Sequence, residues 1–157
     1  MILEITDPAE KQAIARNVLE ALTDWFGIEK SREEYISGSA HWTFLAARED
    51  NNIIGFLCLK ETGKATVELA VMGILKDYHR RGIGRQLVEK AKEAAISQGY
   101  EFMQVKTVKM GVYEDYDKTN RFYISCGFKE LEVFPLLWDE WNPCQVYVMS
   151  LASDHPE

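Results

Sequence analysis

Gly82 and Gly84 stand one residue apart, with Arg80, Arg81 and Arg85 around them and a stretch of helical periodicity beginning beside them. Two glycines where a helix starts let the backbone come close to a ligand, and the unpaired amides of a first helical turn point at whatever sits there. An anion suits such a place. Arginines at the positive end of a helix dipole oppose it by about 0.3–1 kcal/mol each when nothing compensates, and a bound polyanion compensates. The same residues also read as surface arginines on an ordinary loop, and from the glycines alone both readings stay open. A dinucleotide fingerprint is the weaker rival. Its third glycine would fall where Leu87 stands, and its strand would open a parallel unit, whereas hairpins precede this one.

The elements that must position this turn follow from periodicity. Residues 1–5 read as a first strand. Pro8 opens a helix carried by Ile14, Val18, Leu19 and Leu22 and ending near Gly27. Ser31, with Glu34 as capping-box partner, starts a shorter helix that runs to about Ser37 and stops at Gly38. His41 and Trp42 read as structural residues opening a strand. Residues 43–48 and 53–60 flank the turn Glu49-Asp50-Asn51-Asn52 as an antiparallel hairpin. Val67, Leu69 and Val71 alternate with Glu68, Ala70 and Met72, a strand with one core face and one available face. The chain then passes through the glycine turn straight into a long helix, with Ile83, Leu87, Val88, Ala91, Ala94 and Ala95 on one face and an end near Gly99. A strand over 102–108, a helix over 116–126 stopped by Gly127, a strand over 128–134 and a last strand over 145–151 complete the reading. Hairpins first and strand-helix-strand units later predict a mixed sheet with helices on both faces.

With 157 residues and 46% hydrophobic composition, the chain can bury one substantial core, so a single domain over 1–152 with a frayed tail at 153–157 is expected. The acidic, amphipathic opening lacks the basic start and apolar run of a signal peptide. No apolar run approaches the roughly 20 residues that span a bilayer. A soluble protein without a membrane partner is therefore expected. Cys58, Cys126 and Cys144 show no metal-ligand spacing, so no metal is expected and a reducing cytoplasm fits best. The balance of 25 acids against 18 Lys and Arg, a formal charge of −7, argues against a nucleic-acid partner and tilts mildly toward a cationic one.

The segment from Ile74 to Arg85 resembles the CoA-binding motif of GNAT acetyltransferases, Gln/Arg-x-x-Gly-x-Gly/Ala at the end of a strand. His79 takes the place of the Gln or Arg, and Lys76 stands where many members have Pro. A second segment, Phe122-Tyr123-Ile124-Ser125-Cys126-Gly127-Phe128, resembles the family's Phe-Tyr-x-x-x-Gly-Phe signature. Tyr116 and Thr119 stand upstream where the family often has Asn and Ala. The resemblance runs through nearly the whole chain in element order. It implies an α/β fold: a central mixed, mostly antiparallel, splayed sheet of about seven strands with helices on both faces.

The resemblance further implies acetyl-CoA as acyl donor. Main chain of Ile74 and Leu75 would hold the pantetheine arm, and the turn of His79, Arg80, Arg81, Gly82, Ile83, Gly84 and Arg85 the phosphates, with Asn120 a substitute for the missing family Asn. Tyr123 would protonate the departing thiolate, which a phenol with a pKa of about 10 can do at neutral pH; a purely structural Tyr is the alternative. An amine must lose a proton before it attacks a thioester. Glu68, eleven residues before His79, matches the position of the general base in histone-acetylating members, and reads equally as a solvated residue on a polar face. Glu114, Asp115, Asp117, Asp139 and Glu140 are the reserves. The oxyanion donor would be a backbone amide, Ile74 the nearest. Specificity in the family usually comes from the first helices and the loop before the last strand, here Trp25, Phe26 and Tyr35, and Trp138 to Cys144, with at least half of these rings expected in the core. The expected activity is acetyl transfer to a primary amine, on a small molecule or a protein, by direct attack in a ternary complex. A non-catalytic acyl-CoA-binding module is the alternative, and a homodimer is an arrangement common in the family.

Overall fold

In a computed structural model, residues 1–152 are described; the expected tail at 153–157 lies outside them. Seven strands and four helices follow in the order β1 (Ile2–Ile5), α1 (Pro8–Glu20), α2 (Glu29–Ser39), β2 (Thr43–Glu49), β3 (Asn52–Gly63), β4 (Thr66–Ile74), α3 (Ile83–Ser97), β5 (Phe102–Val108), α4 (Glu114–Ser125), β6 (Lys129–Asp139) and β7 (Asn142–Ser150). The strands form one sheet in the order β1-β2-β3-β4-β5-β7-β6. Pairing of β4 with β5 is parallel, and that of β1 with β2, β2 with β3, β5 with β7 and β6 with β7 is antiparallel. Among the described residues, no helix is long and apolar enough to cross a membrane. The chain clusters into two compact units, one of Met1–Lys60 with Leu69–Ala94, the other of Glu61–Glu68 with the described residues from Ala95 on.

In the first unit, Asp7 caps α1 by accepting from the Glu10 amide at 2.9 Å, with Pro8 in the first turn. The helix ends at Glu20, well before Gly27. The amides of Ala21 and Leu22 bond three residues back, and those of Trp25 and Phe26 both bond to the Leu22 carbonyl. Tight turns thus replace the helix while Leu22, Trp25 and Phe26 keep packing inward with Ala15, Val18 and Leu19 against Phe44, Ala46, Phe56 and Cys58. The opposite sheet face is closed too, since Leu45, Ala47, Leu57 and Leu59 are buried.

The capping box at Ser31 and Glu34 does not form. Helix α2 begins two residues earlier, its Ile28 cap makes no side-chain bond, and Ser31 lies inside the helix. Gly38 is also inside. A Cβ there would come within 2.4 Å of the Trp42 ring, so this glycine admits the ring rather than stopping the helix. His41 and Trp42 precede β2 instead of opening it.

In the second unit, β5 pairs with β7 along its whole length, and the inward phase Met103, Val105, Thr107, Gln145, Tyr147 and Met149 is buried. The Trp138 to Cys144 segment is no loop. β6 runs to Asp139 and β7 starts at Asn142, joined by a tight turn in which the Asp139 carboxylate accepts from the amides of Trp141 and Asn142 at 2.9 Å each.

Candidate active site

β4 does not pass straight into α3. A short 3-10 turn over Lys76–Tyr78 intervenes, and two residues after it the backbone enters unusual territory. Arg80 has φ 65 and Gly82 φ 77, the left-handed region that an arginine occupies only at a cost of about 1–3 kcal/mol. A Cβ at Gly82 would meet nothing within 4 Å, so the dihedral and not crowding asks for glycine. The Gln86 amide bonds to the Gly82 carbonyl at 3.1 Å. The amides of the preceding residues belong to the first helical turn, whose donors have no partner within the helix. Left-handed residues beside a helix start aim successive amides to one side, a geometry suited to oxyanions.

Side chains brace this turn from behind. The His79 ring nitrogen Nε2 lies 2.6 Å from the Ile74 carbonyl; a carbonyl only accepts, so Nε2 carries the hydrogen. Trp25 meets the same ring edge-on at 5.8 Å, and Lys76 pairs with Asp24 at 2.5 Å. The His79 imidazole therefore serves the turn's own backbone, while Arg81 lies over the Tyr78 ring at 5.1 Å and 3.7 Å from Glu49. Arg80 and Arg85 are exposed, and Gly84 is buried.

The second unit gathers side chains instead. Glu68 and Gln104 are level on the parallel pair β4 and β5, and Lys106 follows Gln104 on the same strand face. Lys106 Nζ donates to Glu68 Oε1 at 2.6 Å, with the Glu68 side chain only 14% exposed and that of Lys106 33%. Glu68 is thus neither free nor solvated: it holds a primary ammonium. Cys144 on β7 lies near both charges, and burial pushes its thiol up to about 11.

Asn120 is fully buried. Its amide nitrogen donates to the carbonyls of Val108 at 2.8 Å and Tyr116 at 2.7 Å, and its oxygen accepts from the Tyr147 hydroxyl at 2.6 Å. Two of these bonds tie α4 to β5 and β7 and the third lies within α4, so the side chain expected at the cofactor is engaged internally. Tyr123, one turn further along α4, is buried among the rings of Phe122, Phe128 and Tyr147. Burial also raises the Tyr147 phenol above its ordinary range.

Among the reserve acids, Asp117 accepts from the Gly111 amide at 2.7 Å, and Asp139 is spent on its turn. Glu114 and Asp115 are exposed in the first turn of α4, and Glu140 is exposed at the hairpin tip. Trp25, Phe26 and Tyr35 pack against the core, whereas Trp138 and Trp141, like Leu136 and Leu137, are exposed. Sequence reasoning missed Lys106 and Tyr147. Lys106 was visible as the cation in the polar phase of β5, and Tyr147 as a phenol in the apolar phase of β7, a position that obliges its hydroxyl to find a partner.

The model of the acetyltransferase (GNAT) family matches residues 10–128. The chain belongs to that family. The uncharacterized N-acetyltransferase YsnE of Bacillus subtilis (strain 168) is 30% identical over 108 residues, which make up 69% of this chain and 66% of YsnE. The matches thus span about half to two thirds of the length of the curated relatives. Among solved structures, a GNAT-family protein from Desulfovibrio desulfuricans gives a TM-score of 0.81 at 18% identity, covering 97% of this chain and 99% of that one. YncA from Salmonella typhimurium, described with acetyl-CoA as its cofactor, gives 0.74 at 16% identity over 100% of this chain and 96% of its own. At these identities the likeness establishes the fold, and the expected GNAT architecture, a mixed seven-stranded sheet with four helices, is the one found.

Proposed function

We propose that the chain transfers an acetyl group from acetyl-CoA to a primary amine, of a small molecule or a protein, by direct attack in a ternary complex. The observation that carries this reading is the left-handed pair Arg80 and Gly82 ahead of α3. An arginine held there costs energy that an ordinary surface loop has no reason to retain, and the amides it aims suit a pyrophosphate. Acetyl-CoA supplies an activated acyl carbon. The main chain of residues 80–85 holds its phosphates, with Arg80, Arg81 and Arg85 adding charge; the Leu75 amide already donates to the Ile54 carbonyl at 2.9 Å, so the pantetheine is held by the carbonyls of Ile74 and Leu75, each with a second lone pair beyond its bond to the His79 ring or the Tyr78 amide. The Ile74 amide donates to the developing oxyanion. His79 takes part through the backbone that its ring braces.

Glu68 receives the proton of the substrate ammonium. A carboxylate that already holds the Lys106 ammonium at 2.6 Å has the charge and the reach to hold another. Tyr123 protonates the sulfur as the thioester breaks, a contribution typically worth about 10²–10⁴-fold. Cys58 and Cys144 are free thiols buried in the core, which accords with work in a reducing cytoplasm.

The test is release of free CoA thiol from acetyl-CoA across a panel of primary amines, alongside calorimetric titration with acetyl-CoA. Amine-dependent thiol release is expected, and Glu68→Gln should lower it. Tight acetyl-CoA binding with no turnover on any amine would instead make the chain a non-catalytic acyl-CoA-binding module.

A further inference from the structure

Each other described Lys ion pair involves an acid about half exposed or more: Asp24 at 54% with Lys76, Glu93 at 70% with Lys90, Glu89 at 55% with Lys92. The pair of Glu68 and Lys106 is different. Its carboxylate is 14% exposed, its separation is 2.6 Å, and the acid is the one proposed above to take a proton from an amine. The Lys106 side chain, a third exposed, belongs to the same chemical class as the proposed acceptor: an unbranched primary amine already in hydrogen-bond contact with the base.

We propose that Lys106 Nζ is itself an acyl acceptor, so that the chain acetylates its own Lys106 when no better amine is present. This rests on the acyltransferase reading. Nζ gives one proton to Glu68 along their hydrogen bond, and its freed lone pair forms the new C–N bond to the acetyl carbon. The C–S bond breaks with its electron pair on sulfur. Of the two protons the ammonium loses, one ends on the CoA thiol and the other passes from Glu68 to solvent. The products are an N-acetyl-lysine and free CoA. No oxidant, metal or further reactant enters the balance.

The experiment incubates the full chain with acetyl-CoA alone, digests it, and follows the mass of the peptide that carries Lys106 beside those carrying the exposed Lys64 and Lys118. The expected result is one acetyl group on Lys106 at least about 10²-fold faster than on Lys64 or Lys118, the order of gain a positioned base supplies. The rate should be independent of protein concentration, as befits a reaction within one chain, and should slow when a good amine substrate is added. Glu68→Gln should slow modification at Lys106 relative to Lys64, whose direct reaction with acetyl-CoA does not use the base, and retained acetyl-CoA binding in calorimetry serves as the control for folding. Lys106→Arg, which keeps the ion pair, should leave no rapid acceptor. Modification of Lys106 no faster than of Lys64, or equally fast in Glu68→Gln, overturns the proposal. Thiol release with the amine panel, scored on the same samples, separates the two failures. Amine turnover with Lys106 unmodified overturns self-acetylation and leaves the acyltransferase standing; acetyl-CoA neither bound nor consumed overturns both.

Discussion

The turn after β4 and the side-chain group around β5, α4 and β7 solve different problems with different materials. The turn works through main chain: its glycine and Arg80 set the direction of amides, its cationic side chains are mostly exposed, and His79 is spent on the Ile74 carbonyl. The second group works through side chains whose bonds are nearly all internal, Glu68 to Lys106 and Asn120 to Tyr147, Val108 and Tyr116. A backbone site tolerates exchange of its side chains but not of its dihedrals. A side-chain site tolerates the reverse. This explains how a histidine can stand where the family pattern has Gln or Arg.

The largest expected effect falls in the second group. Tyr123→Phe keeps the ring packing and removes only the hydroxyl, so it should lower the turnover rate by about 10²–10⁴-fold while leaving acetyl-CoA affinity unchanged in calorimetry. Asn120→Ala breaks three bonds, two of them buried, and strands the Tyr147 hydroxyl. It should cost roughly 2–4 kcal/mol of stability, read by denaturant unfolding, with no specific loss of acetyl-CoA affinity once the remaining folded fraction is counted.

The turn answers to the opposite kind of change. Gly82→Ala puts a Cβ into open space but at φ 77, so roughly 1–2 kcal/mol of strain should appear chiefly as weaker acetyl-CoA binding. Arg80→Gly relieves a left-handed arginine and should raise stability by up to about 1 kcal/mol, while its lost charge lowers acetyl-CoA affinity. A fall in stability there would break the comparison.

The smallest effect appears only at alkaline pH. Burial raises the folded Cys144 thiol from an ordinary value of 9.0 to about 11, with Glu68 adding to the rise and Lys106 opposing it. The folded state therefore keeps a proton that the unfolded state loses, and stability should hold below pH 9 and decline as the pH climbs toward 11. Burial pushes the Cys58 thiol the same way. Cys144→Ala should make the decline in thermal melts shallower without removing it.

Much of the second unit's frame was legible because alternation leaves little choice. β5 lies at residues 102–108 as its pattern requires, since one phase is buried and the other carries Gln104 and Lys106. The end of α1 was not legible, because Leu22, Trp25 and Phe26 keep near-helical spacing after the backbone has left the helix for successive tight turns. The turn between β6 and β7 hid for another reason: it contains no glycine, and the Asp139 side chain does the work that turn-forming backbone would announce. At the candidate site, glycine spacing marked the turn well, because few things other than backbone geometry select it. Side-chain partnerships across strands leave no such mark. Lys106 reaching back to Glu68 depends on the parallel register of β4 and β5, and the engagement of Asn120 depends on where Val108 and Tyr147 arrive.

The most direct test of the whole account is the rate of CoA thiol release from acetyl-CoA with a primary amine, compared between the native chain and Tyr123→Phe at equal acetyl-CoA occupancy. Amine-dependent release is expected in the native chain, with a loss of about 10²-fold or more in the variant. Equal rates in the two proteins would contradict the role of Tyr123, and no release from either would contradict the acyltransferase itself.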